Sequence, residues 1–279
     1  MFVVAIPPGF AADGRAGRSP EIQLNIDATA SMQASIGASY IQNIIAAEVA
    51  RYAIRSDVKQ DSHVTLVSRR AFNPNGESSW FRAIAGLLDQ LTMITIILTG
   101  AALIREREHG TIEHLMVMPL SAFEIAVGKV WANGLVVLVA AILSMYFIVE
   151  GLLGVPIAGS RLLLISGIVI YLFSAAAIGI FLGIFARSMA QFALLIMLTI
   201  TPMQMLSGGN SPIENQPEWM QVVTWLLPSR HFMSFAQAVV YRGAGLDIVW
   251  PEFLATAVLG LVFFVGSLML FRRSMSVDA

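Results

Sequence analysis

The residues able to do chemistry outside the first 80 are concentrated in one run, Arg105-Glu106-Arg107-Glu108-His109-Gly110-Thr111-Ile112-Glu113-His114-Leu115-Met116-Val117-Met118-Pro119-Leu120. His109, Glu113 and His114 superficially suggest a zinc centre. Their spacing is HxxxEH, whereas the helical zinc motifs HExxH and HxxEH set both histidines on one face. Five residues of helix turn through about 500°, which leaves the two imidazoles about 140° apart. Gly110 also falls between them, so no metal is expected. Nucleotide chemistry fares no better. Leu206-Ser207-Gly208-Gly209 imitates an ATPase signature, but Asn210 follows it and it closes an apolar run. Gly128-Lys129 is followed by Val130, and Phe123 stands where a P-loop needs its first glycine. Neither a Gly-x-Ser-x-Gly elbow nor paired intramembrane carboxylates point to a membrane hydrolase. With no cysteine in the chain, thiolate ligation, thiol catalysis and disulfides are excluded.

What the run offers instead is mechanical. An apolar segment ends in alternating charges, and Gly110 breaks its helix. Thr111 can then cap a short helix with Ile112, Leu115 and Met116 on one face, and Pro119 stops it. Ser121-x-x-Glu124 reads as a capping box opening the next helix, which runs through Lys129 and Trp131 into an apolar stretch. The predicted product is a short amphipathic helix at a membrane surface, rigidly joined to two spans. Such an element can carry a push from a soluble partner into the membrane.

Composition sets the surroundings. Hydrophobic residues make up 57% of the 279 and charged residues 13%, about half the charge a soluble domain presents to water. This predicts an α-helical polytopic membrane protein, in contact with lipid. A net charge of −1 leaves no basic excess for nucleic acid. Five spans are predicted, at about 83–104, 130–149, 162–186, 188–206 and 252–271. Each has about 19 residues or more, enough to cross a hydrocarbon core of about 30 Å. The apolar run 232–241 is too short, and with Pro228 before it reads as a re-entrant or interfacial segment within an outer loop 207–250. The five tryptophans lie at span ends or in that loop, where indoles anchor at headgroup level. Asp89 is the one acid well inside an apolar run, placed to reach the outer interface, and Glu150 marks a span boundary. Ala175, Gly179 and Gly183 form a small-residue stripe for close helix packing, within the chain or across a dimer. The Gly208-Gly209 pair reads as the bend between a span and the outer loop.

Residues 1–80 differ from the rest in carrying mixed charge. Ile22, Leu24 and Ile26 alternate with polar residues as in a half-buried strand. Ile36, Tyr40, Ile41, Ile44, Ile45 and Val49 recur at helical spacing. Val64 to Phe72 reads as a second strand, closed by the turn Asn73-Pro74-Asn75-Gly76. A small α/β domain is expected, followed by a transmembrane domain over 81–275. Putting loop 105–129 in the cytoplasm gives Arg105, Arg107, Lys129, Arg187, Arg272 and Arg273 inside, against Arg161, Arg230 and Arg242 in short outside loops. That favours a cytoplasmic C-terminus, although Arg69, Arg70 and Arg82 even the count. The α/β domain then lies outside, yet Met1 to Phe10 has no basic n-region and only a short apolar stretch. A first span is therefore expected to be missing from this chain.

At these residues the chain resembles the permease subunits of ABC-2 type exporters. Arg105 to Lys129 is similar to their cytoplasmic coupling loop. Val4 to Phe10 and Pro20 to Asp27 resemble the segment after the first span of longer members, and Phe72-Asn73-Pro74-Asn75 with Ser79-Trp80-Phe81 the start of their second. Met203 to Pro212, Pro228 to Phe232 and Tyr241-Arg242-Gly243 resemble their outer loop and re-entrant helices. The resemblance covers essentially the whole chain; family members have six spans and a cytoplasmic N-terminal helix. It implies a bacterial inner-membrane, multi-pass permease paired with a second permease subunit and with ATP-binding subunits. ATP and Mg are used by that partner, and no cofactor is bound by this chain. The docking-loop residues implied are Glu106, Glu108, Gly110, Thr111, Glu113, Pro119 and Glu124; those of the outer-loop bend are Gly208, Gly209, Pro212 and Pro228. The cargo implied is a drug, lipid or other hydrophobic molecule, and the outer domain suggests a periplasmic adaptor. The rival readings are an intramembrane enzyme, and a non-transporting anchor, assembly factor or inactive permease fragment.

Overall fold

Alternation at Ile22, Leu24 and Ile26 organises the first of two compact units, residues 1–81 and 82–279. The computed structural model describes residues 2–16, 21–27, 31–55, 65–71, 78–108, 122–209, 213 and 216–277. In the first unit strand β1 (Phe2–Ala5) is followed by helix α1 (Phe10–Arg15), strand β2 (Glu21–Asp27), helix α2 (Ser31–Arg55) and strand β3 (Thr65–Ala71). β2 is central: it pairs antiparallel with β1, Phe2 opposite Ile26, and parallel with β3, Glu21 opposite Thr65. The parallel pair needs a long crossover, which α2 supplies. Ile22, Leu24 and Ile26 are buried, and Leu24 and Ile26 pack against Ala38 and Ile41 of α2. Tyr40 and Ile44 sit on α2 as their spacing predicts but stay exposed. They lie about 100° round the helix from Ile41 and Ile45, a wider apolar arc than one small sheet covers. The Asn73–Gly76 turn lies outside the described residues.

The second unit is helical. Helix α3 (Ser78–Glu108) leads to α4 (Ala122–Ser144), which continues as a π-helical extension, Met145–Leu152. Then follow α5 (Arg161–Phe185), α6 (Met189–Leu206), the short α7 (Glu218–Thr224), α8 (Pro228–Arg242) and α9 (Leu246–Val277). Among the described residues five helices are long and apolar enough to cross a membrane: Trp80–Glu106, Phe123–Leu152, Arg161–Phe185, Met189–Leu206 and Leu246–Leu270. The second is longer than the expected 130–149 because the helix takes in Glu124 and Lys129 at its start. α8, with 15 residues, is about 22 Å long and too short to cross.

α5 is the hub, packed on α9, α4, α8 and α6 and more buried than any other span. Among α3, α5 and α6 the core holds Ile96, Ile104, Ile178, Leu182, Phe192 and Met203. Among α3, α4, α5 and α9 it holds Leu103, Ala126, Val130, Ala177, Ile180 and Phe264. Lipid is as apolar as leucine, so close packing and hydrogen bonds must hold such helices together. The bonds are present. Thr92 Oγ1 donates to the Leu88 carbonyl at 2.7 Å and lies 2.5 Å from the Tyr171 hydroxyl, joining α3 to α5. Ser174 Oγ donates to the Thr256 carbonyl at 2.8 Å and Ser267 Oγ to the Ala177 carbonyl at 3.2 Å, joining α5 to α9.

Candidate coupling site and outer loop

Three helix ends meet where α3 stops, α4 starts and α5 turns into α6. Glu106 on the last turn of α3 forms an ion pair with Lys129 on α4, whose side chain is only 11% exposed against 31% for Glu106. The pair ties together the two roots of the segment 109–121. Glu108, the last residue of α3, is exposed, and its Oε1 accepts a hydrogen bond from the Met189 backbone N–H at 3.1 Å. That amide opens α6, so the carboxylate faces the positive end of the helix dipole. The same terminus is capped from within: Ser188 Oγ accepts from Gln191 N at 3.3 Å, and Gln191 Oε1 accepts from Arg187 N at 2.9 Å. Glu124 lies exposed in the first turn of α4, beside Phe123, whose ring meets Phe264 of α9 edge-on at 6.0 Å.

Glu106, Glu108 and Glu124 are thus brought to one end of the bundle. Glu106 and Glu108 are engaged by Lys129 and the α6 terminus, where the sequence reading assigned both to docking on another protein. A charge-alternating run at a helix end cannot reveal which distant backbone amide one of its acids will cap. Gly110, Thr111, Glu113 and Pro119, together with Ser121 and the expected short helix, lie outside the described residues. The small-residue stripe faces α3 of the same chain. A Cβ on Gly179 would lie 2.7 Å from the Ile96 carbonyl oxygen, and one on Gly183 3.2 Å from that of Gly100. Ala175 is buried with Ile96 in the same cluster.

At the opposite end, Gly208 turns the chain after α6 with φ of 92°. Gly209 is buried, and a Cβ there would meet Met233 of α8 at 2.7 Å. Pro212 lies outside the described residues. Pro228 is buried and takes the first turn of α8, where its missing N–H costs nothing. Asp89, half-buried on α3, receives a 3.3 Å bond from Gln204 Nε2 on its backbone carbonyl. Glu150, in the π-helical extension, pairs with Arg161 at the start of α5 at 3.0 Å. The sequence reading missed a buried polar cluster here. Arg230 Nη1 donates to the Gln221 carbonyl and to Thr224 Oγ1, closing the end of α7. His231, 3% exposed, has Nε2 at 2.8 Å from the Trp225 carbonyl and Nδ1 at 2.5 Å from Glu252 Oε2 on α9. A histidine three residues after a proline carries no local signal that a glutamate 21 positions on will meet it.

The family of ABC-2 family transporter proteins matches residues 1–269 of the 279. The chain belongs to that family. It is 48% identical over 278 residues to the inner membrane transport permease YhhJ of Escherichia coli (strain K12), an alignment covering 100% of this chain and 74% of YhhJ. It is 30% identical to the probable multidrug ABC transporter permease YbhR of the same strain, over 98% of this chain and 73% of YbhR. The probable multidrug ABC transporter permease YbhS is 26% identical, over 95% and 70% respectively. In an ABC-2 transporter the apolar helices are the membrane component. Through Glu106 and Glu108 the end of α3 is joined to the starts of α4 and α6.

Proposed function

We propose that this chain is the transmembrane permease subunit of an ABC exporter in a bacterial inner membrane. ATP hydrolysis comes from a separate ATP-binding subunit that docks on residues 105–129, and a second permease subunit completes the path. The observation that carries this reading is the family match across both compact units. The cargo class in this reading is a drug, lipid or other hydrophobic molecule, and the word multidrug in the names of YbhR and YbhS supports the first of these. In this reading the segment 105–129 and the C-terminus face the cytoplasm. The first unit and the α7–α8 region, as a re-entrant outer loop, face the periplasm, where an adaptor protein can reach them. Gly110 acts as a hinge, Thr111 and Pro119 bound the coupling helix, and Glu113 and Glu124 contact the ATP-binding subunit.

The test is to substitute Gly110→Pro and Glu113→Ala separately. Co-purification with the ATP-binding subunit and ATP-dependent export are then measured in membrane vesicles. Each substitution is expected to lower export about tenfold or more, Glu113→Ala by weakening docking and Gly110→Pro with docking retained. Wild-type docking and export in both variants would remove the coupling assignment.

A further inference from the structure

We infer that α7 is seated in the membrane interface, its apolar face among the acyl chains of the bilayer and its polar face turned into the protein. Trp219, Val222, Val223 and Leu226 follow the i, i+3, i+4, i+7 spacing that gathers side chains onto one face of a helix. All four are exposed, as is Trp225. The polar side chains of the same turns point the other way: Val222 is 72% exposed and Thr224 0%. Thr224 Oγ1 donates to the Gln221 carbonyl at 3.1 Å and accepts from Arg230 Nη1 at 2.7 Å, and the same Nη1 donates to the Gln221 carbonyl. Gln221 Nε2 donates to the Gln216 carbonyl at 2.8 Å. Gln216, itself buried, donates from Nε2 to the Leu206 carbonyl at the end of α6, at 3.3 Å. A surface helix in water buries its apolar face and wets its polar one. α7 does the reverse, so the medium outside it is apolar.

That medium is lipid rather than another protein. The side chains of the patch carry no hydrogen-bonding group besides two indole N–H groups, whereas protein interfaces are oriented by about one hydrogen bond per 100–200 Å². The patch also adjoins exposed apolar residues on two spans. Met205 on α6 stands next to the Leu206 carbonyl that holds Gln216, and Trp250 on α9 comes just before the Glu252 that meets His231. Both lie at span ends, the depth at which a bilayer passes from acyl chain to headgroup and where indoles settle. Glu218, exposed at the start of α7, has to stay in water. α7 therefore enters by its first turn. Trp219 lies at headgroup level, where water still reaches it, and Val222, Val223 and Leu226 lie deeper, about 5–10 Å into the acyl boundary. At 7 residues α7 is about 10 Å long and rests on the bilayer without crossing it. The seat holds whichever side of the membrane this end faces, and whether or not the chain exports anything.

Nitroxide labels on single introduced thiols read this directly, in the full chain held in lipid nanodiscs. The variants are Trp219→Cys, Val222→Cys and Leu226→Cys, with Glu48→Cys on the exposed side of α2 as the reference in water. Each replaces an exposed side chain, and an unchanged unfolding midpoint identifies the folded variants. Collisions of the label with dissolved oxygen, which concentrates among acyl chains, are compared with collisions with a water-soluble nickel chelate, which is kept out of them. In Val222→Cys and Leu226→Cys the oxygen-to-nickel ratio is expected to exceed the reference about fivefold or more, with Trp219→Cys in between. A ratio equal to the reference in Val222→Cys and Leu226→Cys would show an aqueous loop and overturn the seat. Labels in those two variants shielded from both probes would show that a protein surface, an adaptor or a second copy of this chain, covers the patch. That outcome overturns the seat as well.

Discussion

Glu106 and Lys129 illustrate how a residue's role depends on what it meets. From the sequence Glu106 is one of four charges at a span end; in the fold it neutralises a lysine that is nearly buried on the next helix. Removing one partner of such a pair strands the other in a poorly solvated place, whereas removing both does not. Glu106→Gln and Lys129→Met are each expected to cost about 1–3 kcal/mol, less than for a fully buried pair because Glu106 keeps solvent contact. The double variant should lose less than the sum, with a coupling of about 1 kcal/mol. Thermal unfolding in one detergent checks this; strictly additive losses would show that the two charges act independently. The same lesson holds for Glu108, whose partner is a backbone amide 81 residues away, beyond any pattern of nearby side chains.

At the level of elements, the seam between α3 and α5 rests on missing side chains. Gly100, Gly179 and Gly183 let the two backbones approach until carbonyl oxygens occupy the space of absent Cβ atoms, where dispersion and weak polar contacts replace the hydrophobic effect. Gly179→Ala is expected to destabilise by about 1–3 kcal/mol, since backbone rather than a flexible side chain must yield. Gly134 on α4 has nothing within 4 Å of its Cβ position. Gly134→Ala is expected to be neutral or to stabilise by up to about 1 kcal/mol through helix propensity. Unfolding midpoints of the two variants in the same detergent decide the matter, and equal midpoints would deny the seam its role. The small-xxx-small spacing was legible in the sequence. Its partner was not, because the spacing fits a neighbouring helix and a second subunit equally well.

For the whole molecule, the proposed orientation is tested by where introduced thiols react. The chain has no cysteine, so a single introduced thiol reports its own location. Arg105→Cys is expected to react with a membrane-impermeant maleimide only in inside-out vesicles, and Trp219→Cys only in intact spheroplasts. Labelling of both from the same side would contradict a five-span arrangement, and the reverse pattern would invert the orientation proposed above. Five spans were expected and five helices of that kind are present among the described residues, with the largest differences at the starts of α4, 123 against 130, and of α9, 246 against 252; the difference at α4 has a local cause. There two charges shortened the apparent run, although the helix continues through them.

Composition and periodicity by themselves determined the membrane class, the presence of five spans, the strand through Ile22, Leu24 and Ile26 and the helix through Ile36 to Val49. Each follows from the local balance of apolar and polar groups, which neighbours along the chain already express. The charged end of the first span and the break after the fourth were legible as segment ends for the same reason. Only the tertiary structure decided that Glu106 answers Lys129, that Glu108 caps α6, that the glycine stripe faces α3, and that His231 is held between Trp225 and Glu252. These are short-range polar and steric contacts between residues distant in sequence. Hydrogen bonds and backbone approach are satisfied within a few tenths of an ångström, and no one-dimensional pattern carries that information.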